Sequence, residues 1–177
     1  MFGKDESPET RLRKAFWKEL QSDRTLMLGL HGVEDDLTRP MTAQVDLPED
    51  GDKEDGGPIY FFASKNEGIG QDFKEGARAI AAFSSKGHDL FASIHGTLHD
   101  ATDRRDVIER LWNPFVDAWY KDGKDDPNLI LLLFKSETAE VWEADKMGTL
   151  KATALKWAFD VDPGNELKDE HRAEVTL

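Results

Sequence analysis

Apolar and polar residues alternate along several short stretches of the chain, as they do in strands with one buried face. In TRPMTAQVDLP (38–48), the side chains of Met41, Ala43 and Val45 would face one way and those of Pro40, Thr42 and Gln44 the other. Similar stretches elsewhere predict about six strands in all. They are 24–32, 38–47, 59–64, 77–85, 89–101 and 129–145, the last being one long strand or two consecutive ones.

Apolar positions at helical spacing lie between these strands. They predict helices in SPETRLRKAFWKEL (7–20), KNEGIGQDFKEG (65–76), DRRDVIERLW (103–112) and PFVDAWY (114–120). Strands at hairpin spacing with helices between them predict a mainly β fold, an antiparallel barrel with flanking helices. We expect one domain over residues 1–160, and a loosely ordered tail over the acidic residues 161–177.

The charge and residue types exclude several classes of partner. The chain has 177 residues and a formal net charge of −13, so it lacks the basic surface that nucleic acid or an anionic membrane requires. There is no cysteine, and therefore no disulfide, thiolate nucleophile or cysteine-bound zinc. The N-terminus has no signal-peptide core, and the longest apolar run, LILLLF, is too short to cross a bilayer. We expect a cytoplasmic protein.

The spacing of the residues gives little support for a metal site or for a serine nucleophile. The five histidines have no metal-ligand spacing, so we expect no metal site. Ser84 and Ser85 precede Lys86 and His88. This arrangement is either a serine–base pair or an ordinary turn, and the turn is favoured. No catalytic residue is identified by these patterns.

An anion-binding feature is better supported. Gly68 and Gly70 in NEGIG follow a predicted strand and open a predicted helix, where backbone N–H groups favour a phosphate, although an ordinary strand-to-helix turn is an equal alternative. Arg39 begins its strand, and its planar guanidinium suits a phosphate or the carbonyl oxygens of a flat ligand. An acidic protein needs such local cations, and the available ones are Arg39, Lys65, Lys74 and Lys86.

The order of motifs RPMTAQ, IYFFASKNE, SIHGTL, ERLWNPFVDAWYKDGKDDPN and LFKSETAEVWE resembles the general stress protein branch of the pyridoxamine 5′-phosphate oxidase-like family, the FMN-binding split-barrel family. The resemblance runs from about residue 10 to residue 157. It implies a six-stranded antiparallel split barrel that forms a homodimer, with flavin in two equivalent grooves at the dimer interface. The implied cofactor is FMN, with FAD or a deazaflavin as alternatives.

The resemblance also implies the flavin-binding residues. Arg39, Pro40, Met41, Thr42 and Gln44 match the strand along the flavin ring and ribityl chain, and Phe62, Ala63, Ser64 and Lys65 match the strand bordering the ring and phosphate. Trp142 matches an aromatic residue that reaches the flavin from the second subunit. Many relatives hold the phosphate with a serine–x–lysine motif, but Glu67, Gly68 and Ile69 stand in its place here.

Three functions follow from this resemblance. The first is a flavin-binding stress protein without turnover, and the second is a flavin-dependent oxidoreductase using NAD(P)H or a small-molecule reductant. The third is a structural dimer without ligand, which the missing lysine favours. True pyridoxamine phosphate oxidation gains little support, because the arginine–x–histidine motif of those oxidases does not follow Trp142.

Overall fold

The computed structural model describes residues 6–33, 37–52, 54–144 and 171–177, which form eight strands and four α-helices. The strands are β1 (Thr25–Leu30), β2 (Arg39–Thr42), β3 (Gln44–Val45), β4 (Ile59–Ser64), β5 (Ala77–Ser84), β6 (Leu90–Asp100), β7 (Leu129–Glu143) and β8 (Arg172–Val175). The helices are α1 (Pro8–Ser22), α2 (Gly68–Asp72), α3 (Arg105–Leu111) and α4 (Pro114–Asp117). A 3₁₀ turn covers Gly123–Asp125.

The strands form one antiparallel sheet that closes on itself. Its order is β2-β1-β5-β6-β7-β4-β3, and the two outermost strands, β2 and β3, are joined directly through Ala43. At that residue the chain changes partner, because the Ala43 N–H donates to the Arg24 carbonyl at 2.7 Å while the next residue pairs with β4. The predicted second strand, 38–47, is therefore divided into β2 and β3, one at each edge of the sheet. Together with β8, the six predicted strands form a split barrel.

The barrel interior is closed by α1. The Ser7 hydroxyl caps this helix by accepting from the Thr10 N–H at 3.2 Å. Its apolar face carries Leu12, Phe16 and Leu20, each fully buried among inward-facing residues of the strands. The burial of these large side chains supplies much of the hydrophobic stabilisation of the barrel.

A second core lies on the outer surface of β4 and β7. There α3 and α4 pack Val107, Ile108 and Val116 against Tyr60 and Leu131 of the two strands. The Asn113 side chain begins α4 by accepting from the N–H groups of the second and third residues after it. This helical arm covers one outer part of the barrel and fixes the residues 110–113 beside β3.

The C-terminal residues differ from the expectation of a loose tail. Residues 172–175 form β8, which pairs with the second half of β7, and Val175 is 2% exposed within the barrel core. The prediction was wrong for this part, because a single buried valine in an acidic stretch gives no periodic signal. The rest of the tail, 161–170, and the boundary near residue 160 lie outside the described residues.

Candidate functional site

One end of the candidate site brings together two features that are distant in sequence. Arg39 begins β2, and Gly68 begins α2 just after β4 ends. Gly68 has a left-handed backbone (φ +56), and a Cβ placed on it would lie 3.9 Å from Cδ of Arg39. The arginine stem therefore lies against the glycine turn. We call this region, formed by Arg39, Lys65 and Gly68, the anion end.

Gly70 holds the glycine turn against the end of β4. A Cβ at this position would lie only 2.1 Å from the Ser64 carbonyl oxygen, so only glycine allows this approach. The Ser64 hydroxyl accepts from the Asn66 N–H at 3.3 Å, which closes the turn. Backbone and glycine geometry thus place Gly68 beside Arg39, with the exposed Lys65 three residues before Gly68 in the same turn.

The helix that follows is shorter than predicted and begins at a different residue. It spans five residues from Gly68, and its N-cap is Glu67, which makes no side-chain capping bond. The Asn66 amide donates to Oδ1 of Asn128 at 2.5 Å, while the Lys65 N–H donates to the Asn128 carbonyl at 2.8 Å. Such a short helix has little dipole, so recognition of an anion depends on the Arg39 and Lys65 side chains.

The middle of the site lies on β4. Phe62 is half-buried and meets Trp112 of the helical arm edge to face, with ring centroids 5.5 Å apart. Ala63 points into the barrel, and its carbonyl accepts the hydroxyl of Tyr120 at 2.9 Å. Burial, with smaller contributions from nearby carboxylates, raises the pKa of Tyr120 to about 12, so this phenol is a neutral donor at physiological pH.

The strand β2 supplies the other predicted residues. Pro40 lies opposite Met27 of β1 and is exposed, as is Thr42, whereas Met41 is half-buried against the core. The alternation of the sequence therefore holds through Thr42. It fails at Gln44, which alternation assigns to the same face as Pro40 and Thr42 but which is 7% exposed, because the chain passes beneath the helical arm after Ala43.

A groove of about 360 Å³ lies at this second end of the site, which we call the groove end. Gln44 forms part of its floor, and Trp112 forms part of its wall. Sequence reasoning missed most of this groove, since its residues come from three separate parts of the chain with no shared motif. It is lined by Gln21, Arg24, Ala43, Gln44, Val45, Leu47, Arg110, Leu111, Trp112 and Asn113.

One of the two arginines of the groove is held in an ion pair. Arg110 donates from Nε and Nη2 to the two carboxylate oxygens of Asp46, at 2.9 and 2.7 Å. Those hydrogen bonds and the charge of Asp46 raise the pKa of Arg110. The pair is bidentate, which fixes the end of α3 beside the residues that follow β3.

Trp142 is far from the other predicted residues within one chain. Phe62 pairs with Leu131 of β7, and Trp142 lies about 36 Å of strand further on, at 3.3 Å per residue. There it is half-buried beneath Arg172, whose guanidinium carbon lies 6.0 Å from the ring centroid. A role for Trp142 at the site stays a prediction that requires a second copy of the chain.

The serine–histidine pair considered in the sequence forms a turn. Ser85 is fully buried, donates to Oδ1 of Asp89 at 2.7 Å, and accepts from the Leu90 N–H at 3.1 Å. The Ser84 hydroxyl lies 3.3 Å from Nδ1 of His88, but no carboxylate orients that imidazole among the described residues. These bonds join β5 to β6. No group of three potential metal-ligating side chains occurs in the described ranges.

A closed antiparallel split barrel, with a helical arm on its outer surface and a cationic strand end, defines the structural class of this protein. The chain belongs to the pyridoxamine 5′-phosphate oxidase-like family, whose model matches residues 12–159. This confirms the family resemblance of the motifs. No curated protein matched the sequence.

Solved structures agree with this assignment. A general stress family protein of Xanthomonas campestris pv. campestris is 51% identical, with a TM-score of 0.70, over 80% of this chain and 92% of that one. The general stress FMN/FAD binding protein of Xanthomonas citri is 52% identical, with a TM-score of 0.68, over 77% and 91%. General stress protein 26 of Jannaschia sp. CCS1 is 28% identical, with a TM-score of 0.69, over 96% and 99%.

Proposed function

We propose that this protein is a flavin-binding general stress protein that holds FMN or FAD at the interface of a homodimer. The flavin lies along the strand from Arg39 to Gln44 and beside the segment from Phe62 to Lys65. The proposal rests on the family membership and on the name of the Xanthomonas citri neighbour, an FMN/FAD binding protein. The observation that carries it is the position of Arg39 against the glycine turn.

The residues of the anion end suit a flavin phosphate in spite of the missing serine–x–lysine motif. Arg39 offers a planar fork of donors, and Lys65 is exposed one residue after β4. Gly68 leaves backbone open beside the Arg39 stem, because no Cβ occupies that space. Glu67 is exposed and stands where the relatives with that motif have its serine, so its charge weakens the site relative to theirs.

The ring of the flavin would lie toward the middle of the site. Exposed Pro40 and Thr42 leave room for a flat ring above β2, and half-buried Phe62 offers an aromatic edge. Flavin supplies hydride and electron transfer when it is bound. The protein's own part is to orient the ring and to exclude water from it.

A second copy of the chain is expected on the outer face of β1, β5 and β6. Met27 and Phe91 are 39% and 37% exposed on this face, although both lie in central strands of the sheet. Pro40, a predicted flavin residue, lies directly opposite Met27 in the strand register. A dimer through this face would bury these side chains beside the flavin and is consistent with Trp142 being supplied by the second copy.

The acidic, cysteine-free composition supports a cytoplasmic location. Among the described residues, none of the helices has the length and apolar character needed to cross a bilayer. These two observations and the family membership suit a flavin protein that acts without nucleic acid or membrane partners.

The alternative function is a flavin-dependent oxidoreductase. One observation favours it: the groove end provides about 360 Å³ beside the same strand, which is room for a second small molecule. Steady bleaching of the bound flavin by NADH or NADPH, with turnover in air, would establish the enzyme. Absence of turnover with several reductants would favour a flavin-binding protein that is not an enzyme.

The absorption spectrum of the purified protein tests the proposal, followed by mass identification of the compound that heat releases. A flavin spectrum, with a particle mass of two chains, is the expected result. A colourless monomer that takes up neither FMN nor FAD when either is supplied in excess would contradict it.

Arg39→Ala tests the anion end directly. Loss of a charge-assisted hydrogen bond should weaken flavin binding by about 1.5–3 kcal/mol, which is about 10- to 150-fold in Kd. Lys18→Ala is the control for loss of a surface cation, because Lys18 is exposed on α1, outside the proposed flavin strands and the proposed dimer face. Equal flavin affinity in the two variants would remove Arg39 from the binding site.

A further inference from the structure

Three polar side chains at the end of β6 form a hydrogen-bonded chain that the proposed flavin site does not use. The Nδ1 atom of His99 lies 2.6 Å from Oε1 of Glu75, and its Nε2 atom lies 3.0 Å from the hydroxyl oxygen of Thr97. With its proton on Nδ1, the imidazole donates to the carboxylate and accepts the hydroxyl proton at Nε2. The three groups therefore stand in the order of a carboxylate–imidazole–hydroxyl triad.

The carboxylate of this triad is held in place by the backbone. Glu75 lies in the turn before β5, where Gly76 has a left-handed backbone (φ +73) and donates its N–H to the Leu98 carbonyl at 2.9 Å. The second carboxylate oxygen, Oε2, accepts from the Asp100 N–H at 2.9 Å. That bond and the bond to His99 lower the pKa of Glu75, so the carboxylate is charged at physiological pH. A charged carboxylate at Nδ1 keeps the imidazole in the tautomer that accepts a proton at Nε2.

The hydroxyl of Thr97 is reachable and lies between two cations. Thr97 and His99 are half-buried on the outer face of the sheet, where they alternate with buried residues of β6. Arg78 of β5 and Lys135 of β7 lie directly opposite Thr97 in the strand register, and both are exposed. Cross-strand neighbours have Cβ atoms about 5 Å apart, so either cation can reach an oxygen beside the hydroxyl. Positive charge at that place stabilises the oxyanion of an acyl transfer.

We infer that Thr97, His99 and Glu75 hydrolyse esters of small acyl groups. The Thr97 oxygen attacks the ester carbonyl carbon while Nε2 of His99 takes the hydroxyl proton, and this proton then passes to the departing alkoxide or phenoxide. Water deprotonated by the same nitrogen attacks the acyl-threonine, which releases the carboxylic acid and returns the proton to the threonine oxygen. Glu75 is a positioning residue, because it acts through the imidazole.

The triad is separate from the proposed flavin site and from the exposed side chains of the proposed dimer face. Thr97 is about 20 Å along β6 from Phe91. The strand β7, with the helical arm packed on it, lies between the triad and β4. The activity therefore does not depend on bound flavin.

The chain also contains a natural comparison for the triad. The hydroxyl of Ser84 contacts the imidazole of His88, but without a carboxylate on that imidazole among the described residues. We expect this pair to be inactive, because nothing there fixes the tautomer or stabilises the imidazolium.

Hydrolysis of 4-nitrophenyl acetate by the full chain tests the inference, with and without bound flavin. His99→Asn and Thr97→Val should each lower kcat at least about tenfold, since a general base contributes about 100-fold or more. Thr97→Ser keeps a hydroxyl and should retain the activity. Glu75→Gln should lower kcat and leave KM unchanged, because it removes the orienting charge and no substrate contact. His88→Asn is the matched control and should change neither constant.

Trapping of the acyl group identifies the nucleophile by a second measurement. Acid quenching soon after the ester is added, followed by peptide mass analysis, should show an acetyl group on Thr97 in the wild type and not in His99→Asn. Circular dichroism checks that each variant is folded, and Thr97→Ser keeps the comparison available if Thr97→Val does not fold.

Three outcomes would overturn the inference. They are equal kcat in the wild type and His99→Asn, full activity in folded Thr97→Val, or acetylation confined to lysine side chains. Hydrolysis by a protein that binds no flavin would support the triad and contradict the proposed function. Flavin binding without hydrolysis would support the proposed function and contradict the triad.

Discussion

Gly70→Ala tests whether close contact between α2 and β4 holds the anion end together. A Cβ at this position would lie 2.1 Å from the Ser64 carbonyl oxygen and 2.8 Å from its carbonyl carbon. Both are backbone atoms, so no side-chain rotation relieves the contact. The two segments must separate by about 0.9 Å to reach 3.0 Å, the shortest separation that real Cβ atoms show.

Two opposing effects decide how much Gly70→Ala changes the free energy of unfolding. Alanine favours a helix over glycine by about 0.5–1 kcal/mol. Overpacking in a close-packed region costs about 1–3 kcal/mol, and a contact between backbone segments belongs at the upper end of that range. We therefore expect Gly70→Ala to lower the free energy of unfolding by about 1–2 kcal/mol and to weaken flavin binding, because the turn that carries Gly68 moves away from Arg39.

Urea denaturation followed by tryptophan fluorescence measures the stability, and an FMN titration measures the site. Gly76→Ala is the matched control: its backbone is left-handed (φ +73), but no atom lies within 4 Å of the added Cβ. It should cost about 1–2 kcal/mol through backbone strain alone and leave flavin affinity unchanged. If Gly70→Ala is as stable as wild type and binds flavin equally well, the reasoning on this contact is refuted.

Three further predictions concern the elements that support the site. Burial raises the pKa of Tyr120 to about 12, so its contribution to stability is complete below about pH 10 and is lost as pH rises through 12. Absorbance at 295 nm should show its ionisation near that pH. Tyr120→Phe should abolish this step and lower the free energy of unfolding by about 1 kcal/mol. Asn113→Ala should cost about 1 kcal/mol in urea denaturation by removing the cap of α4, whereas an unchanged midpoint would exclude that role. Val175→Ala should cost about 1.5–3 kcal/mol because Val175 is 2% exposed, and a neutral result would mean that β8 adds nothing to the core.

The barrel was predictable from the sequence because its strands alternate and are separated by clear turns. The division of the second strand was not, since it depends on a hydrogen bond from the Ala43 N–H to the carbonyl of Arg24, which lies just before β1. Likewise β8 depends on the burial of Val175 against distant strands and α1 rather than on a local pattern. Local periodicity identifies a strand, but long-range hydrogen bonds choose its partner.

In the candidate site, too, the features with a local sequence pattern were predictable and those that depend on long-range contacts were not. Arg39 and the glycine turn were each recognisable as anion-binding features, and the fold places them in contact. The groove end was not foreseen, because Arg24 and Arg110 resemble ordinary surface arginines and only the folded chain brings them beside Gln44. Burial of Gln44 was missed for a related reason: alternation assigns a residue to a face of a strand, and the arm that covers this face comes from later in the chain.

The acidic charge of the protein is compatible with the proposed anion end, because charge screening and direct hydrogen bonding act over different distances. At physiological ionic strength charges are screened beyond about 8 Å, so most carboxylates of the chain have little influence at Arg39. Within that distance, an arginine fork makes direct hydrogen bonds to a bound oxyanion. Net charge therefore argues against extended polyanions such as nucleic acid, which contact many surface charges at once, and not against a small ligand held by one guanidinium.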